Sequence, residues 1–208
     1  MSDFLKTWSM KASVGWALDI GAGVGNNARW LASRGFEVDA VESHPEQIEV
    51  LQRAAKGTGV RVHAMDILAF DLAPGRYNLI AALAVFHFIS PSQLKPLAGR
   101  LEDSLAPGGV LLAQVFTVDD PGFELARENG LVEIETNTFV VDPSEDVIHY
   151  FNKKELLELF PNLEVLHYTL ERVMAPGSEA GYRSGAALVA QKSVGKIGKF
   201  DWPRLSML

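Results

Sequence analysis

Cysteine is absent from this chain. That excludes a disulfide framework, a thiolate metal site and a thiol nucleophile, and it suits a reducing cytosol, where the protein is expected. Long apolar runs are missing too. The longest, Leu79 to Ile89, contains His87 and has the length of a buried strand running into a loop, well short of a membrane span. Positive charge is scarce: 19 Lys and Arg against 26 Asp and Glu leave a net charge of −7. Such a balance argues against a broad phosphate-binding surface, so neither nucleic acid nor a membrane is an expected partner. The exception lies after Gln191, where Lys192, Lys196, Lys199 and Arg204 face Asp201 alone; this reads as a partly ordered, solvated tail. The opening Met1-Ser2-Asp3-Phe4-Leu5-Lys6 lacks the basic stretch and apolar run of a secretory signal.

What is present describes an ordinary globular protein. Of 208 residues, 48% are hydrophobic and 22% charged, enough for one core spanning 1–192, with 193–208 as a tail. Strand and helix signals alternate, the pattern of an α/β doubly wound sheet covered on both faces, mostly parallel. Strands are expected at Trp16–Ile20, Phe36–Val41, Val60–Met65, Tyr77–Leu83 (apolar throughout, hence central) and Val110–Phe116. Helices are expected at Asn26–Ser33, after a Ser43 cap with Pro45 in the first turn, and from Ser90-Pro91 to Leu105. In the second of these, Ile48, Val50 and Leu51 are the apolar positions. Asp66 to Arg76 reads as loop or a short helical piece.

Beyond Thr117 the alternation weakens. Val132, Ile134, Thr136, Thr138 and Val140 repeat every second residue, as in an exposed or inserted strand. Lys153–Phe160 reads as a helix and Leu163–Val173 as a strand. A turn at Pro176-Gly177 then leads to a last strand, Ala186–Ala190. Phe4, Leu5 and Trp8 make either a short covering helix or a core contact.

The first strand ends in Asp19-Ile20-Gly21-Ala22-Gly23-Val24-Gly25. Ligands of open α/β sheets sit beyond the carboxyl ends of the strands, and glycines there let a ligand approach the backbone. A dinucleotide fingerprint wants glycine at the sixth position from Gly21, where this chain has Asn26. Asp19 would also repel a pyrophosphate, whereas it suits a cationic amino-acid moiety. Glu42, about twenty residues past the first glycine, ends the second strand where an acid accepts both ribose hydroxyls. Asp66 follows the third strand in His63-Ala64-Met65-Asp66-Ile67, either as an acceptor for an adenine amino group or as a turn cap. Met65 and Ile67 are placed to sandwich that ring.

Taken in order, these residues resemble the class I S-adenosylmethionine-dependent methyltransferases. The resemblance covers Trp16 to about Phe116 closely and the later strands more loosely. It rests on Asp19, Gly21, Gly23 and Gly25, on Glu42, on Asp66, on Tyr77-Asn78-Leu79-Ile80 and on Leu105-Ala106-Pro107-Gly108-Gly109. Asn78 stands where the family usually has Asp. The resemblance implies a seven-stranded sheet with an antiparallel last strand and S-adenosyl-L-methionine as cofactor. It also implies Ala22, Asn26, Ser43 and Leu83 as further cofactor contacts. The segments Ala28–Val38 and Tyr150–Phe160 are similar to a tellurite-resistance and thiol-methyltransferase-like branch.

Transfer from a sulfonium needs alignment and exclusion of water more than proton transfer. His87, after the fourth strand, is the candidate catalytic residue, as base or orienter; its alternative is a histidine hydrogen-bonded at the head of the next helix. Phe86, Phe116 and Tyr150 either wall the acceptor pocket or belong to the core. His44, His149 and His167 read as surface or packing residues, and no residue pair has metal-site spacing, so no metal is expected. The expected partner is a small-molecule methyl acceptor, the expected assembly a monomer or homodimer. Two rival readings are a module that binds the cofactor without chemistry and, disfavoured by Asp19 and Asn26, an NAD-dependent oxidoreductase.

Overall fold

The computed structural model describes residues 2–141, 146–175 and 180–195. After α1 (Asp3–Trp8), strands β1 (Trp16–Ile20), β2 (Glu37–Glu42), β3 (Val60–Ala64), β4 (Tyr77–Leu83) and β5 (Leu105–Phe116) follow. They alternate with α2 (Asn26–Ser33), α3 (Pro45–Ala55) and α4 (Pro91–Ser104). Then come α5 (Pro121–Glu128), β6 (Glu133–Glu135), β7 (Thr138–Val140), β8 (Val147–His149), α6 (Glu155–Glu158), β9 (Glu164–Met174) and β10 (Tyr182–Gln191).

The main sheet has seven strands in the order β3-β2-β1-β4-β5-β10-β9. The first five are mutually parallel, while β10 runs antiparallel to both neighbours, as expected for the last strand. Two-residue periodicity divides the core between the two faces. In β4, Leu79 and Ala81 join Leu5, Leu31 and Leu51 from α1, α2 and α3. Ile80 and Ala82 instead join Leu97 and Leu101 of α4 and Leu156 of α6. Each fully buried leucine or isoleucine contributes about 1.5–3 kcal/mol, so two filled faces hold β4 in the middle of the sheet. The stripe Leu94, Leu97, Ala98 and Leu101 is buried, and Pro91 begins α4 behind Ser90 at the N-cap.

Several expectations need correcting. His44, not Ser43, is the N-cap of α3, with no side-chain cap bond. Glu42 instead holds the segment that leads into α3: its Oε1 accepts from the N–H groups of Ser43 and His44, at 2.9 and 2.8 Å. Val50 faces outward, and the inward positions are Leu51 and Ala55. Pro107-Gly108-Gly109 does not precede β5 but lies inside it, where pairing with β4 is irregular. The alternating run 132–140 is a hairpin, β6 and β7, which with β8 forms a separate three-stranded sheet. Its turn puts Asn137 at φ 57°, a conformation asparagine tolerates better than most residues. Helix α5 lies in the stretch that read as irregular, α6 is only Glu155–Glu158, and β10 begins at Tyr182 rather than Ala186. The turn at Pro176-Gly177 and the tail from 196 onward lie outside the described residues. Lys192 is described, and its Nζ donates to the carbonyls of Glu102 and Asp103 at the end of α4.

The N-terminal segment is core rather than cover. Leu5 is fully buried and Trp8 stacks on His167, ring centroids 4.8 Å apart. The amino end of the sheet is fastened by buried Asp39, which meets His63 Nε2 at 2.8 Å, Arg76 Nη2 at 3.1 Å and the Tyr77 hydroxyl at 3.0 Å. Arg76 also lies 3.8 Å over the Trp16 ring. Asn78 acts at this end too, accepting from the Trp16 N–H at 3.1 Å. It binds β4 to the start of β1, away from the carboxyl ends of the strands.

Candidate active site

Beyond β1 the chain turns over the end of β2. The N–H groups of Gly21 and Ala22 both donate to the Val41 carbonyl, at 2.9 and 3.1 Å. Gly25 caps α2 at φ 83°, and a Cβ there would fall 2.5 Å from Leu51 Cδ1, so conformation and contact both call for glycine. Gly23 differs. Its φ is 56°, but a Cβ on it would meet nothing within 4 Å. The loop therefore borders open space at Gly23, beside the N-terminus of α2. Asn26 is exposed there, its Oδ1 accepting from Arg29 Nη2 at 2.9 Å.

Two acids lie under this loop. Glu42 is nearly buried; its Oε2 accepts from the Gly23 N–H at 2.7 Å while Oε1 holds the start of α3. Asp19 is 1% exposed, and among the described residues its Oδ2 has no hydrogen-bond partner. Burial raises its pKa from 3.8 to about 7, opposed by the Ala28 N–H bond and reinforced by the charge on Glu42. A buried carboxylate oxygen without a donor is costly, and the cost is relieved by any cation or donor that reaches it.

The remaining expected contacts fall around the same edge. Met65 is 42% exposed, and its N–H donates to the Glu42 carbonyl at 2.9 Å. Asp66 is exposed; its Oδ1 accepts from the Leu68 N–H at 2.8 Å and so caps the short 3₁₀ turn Ile67–Ala69. Ile67 turns inward and packs with Phe70 and Leu72, so of the two residues expected to sandwich a ring only Met65 keeps an exposed face. Ser43 is exposed at the end of β2, and Leu83 is half-buried at the end of β4.

His87 occupies a 3₁₀ turn, Phe86–Phe88, just past β4. It is 1% exposed and stacks on Phe116 with centroids 4.1 Å apart. Among the described residues no hydrogen bond joins it to the head of α4, and its Nδ1 has no partner. Burial first, then the charges of Arg183 and His149, press its pKa down to about 3, so the imidazole is neutral. Phe86 belongs to the core beside Phe160, and Tyr150 to a satellite core with Phe139. Phe116 alone of the three candidate aromatics lines a cleft at the carboxyl edge of the sheet. That cleft, of about 160 Å³, is bounded by Ala84, His87, Gln114, Phe116, Glu171 and Arg183. A larger groove of about 610 Å³ lies against the small sheet. Its His149 is already satisfied by Thr138 Oγ1 at 2.8 Å and Glu155 Oε1 at 2.9 Å.

Arg183 and Asp120 were not anticipated from the sequence. Asp120 is the buried N-cap of α5; Oδ1 accepts from Gly122 N, and Oδ2 from Arg183 Nε at 2.9 Å and Ser184 N at 2.7 Å. The Arg183 guanidinium lies 3.7 Å over the Phe116 ring. The signal for Asp120 was present in Asp119-Asp120-Pro121, an N-cap residue followed by proline at the first helical position.

Residues 17–109 match the sequence model of a family described as a methyltransferase domain. In sequence over that stretch, and in fold, the chain is similar to methyltransferases. Uncharacterized methyltransferases of Mycobacterium tuberculosis and Mycobacterium bovis are 28% identical to it over 123 residues, 59% of this chain and 48% of theirs. The chain thus spans about half the length of the curated relatives it matches. In fold it is similar to an S-adenosylmethionine-dependent methyltransferase of Methanosarcina mazei, with TM-score 0.75, 20% identity and coverage of 93% of this chain and 99% of the other. It is similar also to TehB from Haemophilus influenzae, with TM-score 0.70, 20% identity and coverage of 92% and 62%. The Methanosarcina mazei protein is described as S-adenosylmethionine-dependent, and the residues here fit that molecule. Oδ2 of Asp19 lacks the donor that an ammonium supplies, and the open side of Gly23 leaves room that a Cβ would fill.

Proposed function

We propose that this chain transfers the methyl group of S-adenosylmethionine to a small-molecule acceptor seated over the carboxyl ends of β4 and β5. The observation that carries the reading is the unpartnered, buried Oδ2 of Asp19 beneath a glycine loop that opens at Gly23. In this reading Asp19 receives the cationic amino group, and Glu42 accepts a ribose hydroxyl on the Oε2 lone pair not used by Gly23. Gly21, Ala22, Gly25 and Asn26 shape the loop, while Met65, Asp66 and Leu83 border the adenine side. The bound cofactor supplies a sulfonium-activated methyl group, so the chain's task is alignment of the acceptor and exclusion of water. His87, buried and with its pKa pressed down to about 3, orients an acceptor and is a poor base for taking up its proton. The net charge of −7 and the modest cleft favour a small molecule over a nucleic acid. We place the reaction in the cytoplasm, on the cysteine-free composition, and expect a monomer or homodimer.

Calorimetric titration with S-adenosylmethionine, and separately with NAD, tests this. Saturable binding of the first, lost in Glu42→Ala, is expected; binding of NAD without the other refutes the reading. Binding followed by no turnover in a screen of thiols, amines, phenols and oxyanions such as tellurite would make the chain a binding module instead.

A further inference from the structure

Within the cleft beside His87 the charges are unevenly satisfied. Arg183 is held from two sides: Nε donates to buried Asp120, and the guanidinium face lies on Phe116. Asp120 is itself fixed by the N–H groups of Gly122 and Ser184, so the side chain of Arg183 is set in place by a rigid, buried anchor. Only Nε is spent on that anchor. Among the described residues no acceptor meets either Nη, although Arg183 lines the cleft and 35% of its side chain is exposed. On the same ring, His87 stacks against Phe116 and keeps a buried Nδ1 without a partner. The other polar side chains at the cleft are Gln114, Ser184 and Glu171, the last an acid opposite Gly185 on the neighbouring strand. A planar cation fixed edge-on, with two free nitrogens, suits bidentate recognition of a planar oxyanion, which a lysine at that position does not match.

We propose that Arg183 is the specificity residue of the acceptor site, and that the methyl acceptor bears a carboxylate which docks on its two Nη groups while the rest of the molecule lies beside Phe116 and His87. This rests on the reading of the cleft as the acceptor side of a methyltransferase. The carboxylate completes the hydrogen bonds of Arg183, and Glu171 at the other wall excludes molecules with a second acid. A polar group of the acceptor then reaches the unpartnered Nδ1 of His87, which directs its nucleophilic atom towards the cofactor side.

The test uses the full chain loaded with S-adenosylhomocysteine, titrated by calorimetry and by NMR shift changes. The probes are two carboxylates of different size, acetate and benzoate, against their neutral amides, acetamide and benzamide. A carboxylate should bind and its amide should not. Binding should weaken by about tenfold to a hundredfold in Arg183→Met, the range for a charge-assisted bidentate contact, with partial recovery in Arg183→Lys. Affinity for S-adenosylhomocysteine should stay that of the parent in both variants. Because Arg183→Met deprives Asp120 of its cation, the melting temperature is followed in parallel, and the parent's preference for carboxylate over amide stands even if that variant does not fold. Equal binding of acid and amide by the parent overturns the inference, as does binding of neither. So does a variant that loses thermal stability but keeps the preference, which would make Arg183 a structural partner of Asp120 alone. Failure of the parent to bind S-adenosylhomocysteine instead overturns the methyltransferase reading.

Discussion

Replacing Asp19 by asparagine keeps its shape and removes its charge, and the consequences depend on pH in a direction the structure fixes. In the folded chain Asp19 holds its proton up to about pH 7, whereas the ordinary carboxyl gives it up at 3.8. Between those values the native state binds more protons than the unfolded one, so this group's contribution to stability falls as pH rises. At about 1.4 kcal/mol per pH unit, the folded and ligand-free chain above pH 7 carries a penalty of up to about 4 kcal/mol from this one side chain. Asp19→Asn is therefore more stable than the parent above about pH 7 by as much as that amount, and equal to it at about pH 4 and below. Urea unfolding of both proteins across this range measures the difference. Cofactor binding runs the other way. If an ammonium meets ionised Asp19, affinity for S-adenosylhomocysteine rises about tenfold per pH unit approaching pH 7 from below and then levels off. In Asp19→Asn the profile is flat; its affinity falls furthest below the parent's above pH 7, and the two converge towards pH 4. A parent whose affinity does not change with pH, together with a variant no more stable than the parent in alkali, would refute the assignment.

The glycine loop separates folding from binding. Gly25→Ala forces a Cβ to within 2.5 Å of buried Leu51, at φ 83°, and should cost about 1–3 kcal/mol in chemical denaturation. Gly23→Ala meets no protein atom within 4 Å, so its cost is the left-handed backbone alone, about 1–2 kcal/mol, yet titration should show S-adenosylhomocysteine binding lost. At the other end of the sheet, Asp39→Ala strands Arg76 and the Tyr77 hydroxyl and should destabilise by about 3–5 kcal/mol with cofactor affinity unchanged, read by denaturation and titration together. His87→Ala should leave S-adenosylhomocysteine binding intact and lower turnover of whichever acceptor a methyl-transfer screen identifies; unchanged turnover would make the ring a packing group.

Much of the fold was legible because its signals are local. The strand β4 reads as central from its unbroken apolar run, since both its faces are buried. The helix α2 announces its stop in Gly35, at φ 94°. Where local signals were misread, a second pattern of the same period was in play. The alternation from Val132 to Val140 is the same for one strand and for a hairpin, and only the left-handed Asn137 divides them. Ser43 has a capping residue's chemistry, but α3 begins one residue later than that reading requires, behind His44.

The sequence by itself brought together the residues of the proposed cofactor end: Asp19, the glycines and Glu42 lie within a single strand-helix-strand unit, where spacing along the chain is spacing in space. At the proposed acceptor end the sequence pointed to His87 and Phe116, but the anchored cation beside them belongs to the tertiary structure alone. Asp120 and Arg183 are 63 residues apart and meet only because β10 runs back antiparallel along β5. That pairing brings Arg183 over Phe116 and beside His87, and no period or motif in the chain records it. Burial decided the rest, leaving Asp19 inclined to hold a proton and His87 without one at neutral pH.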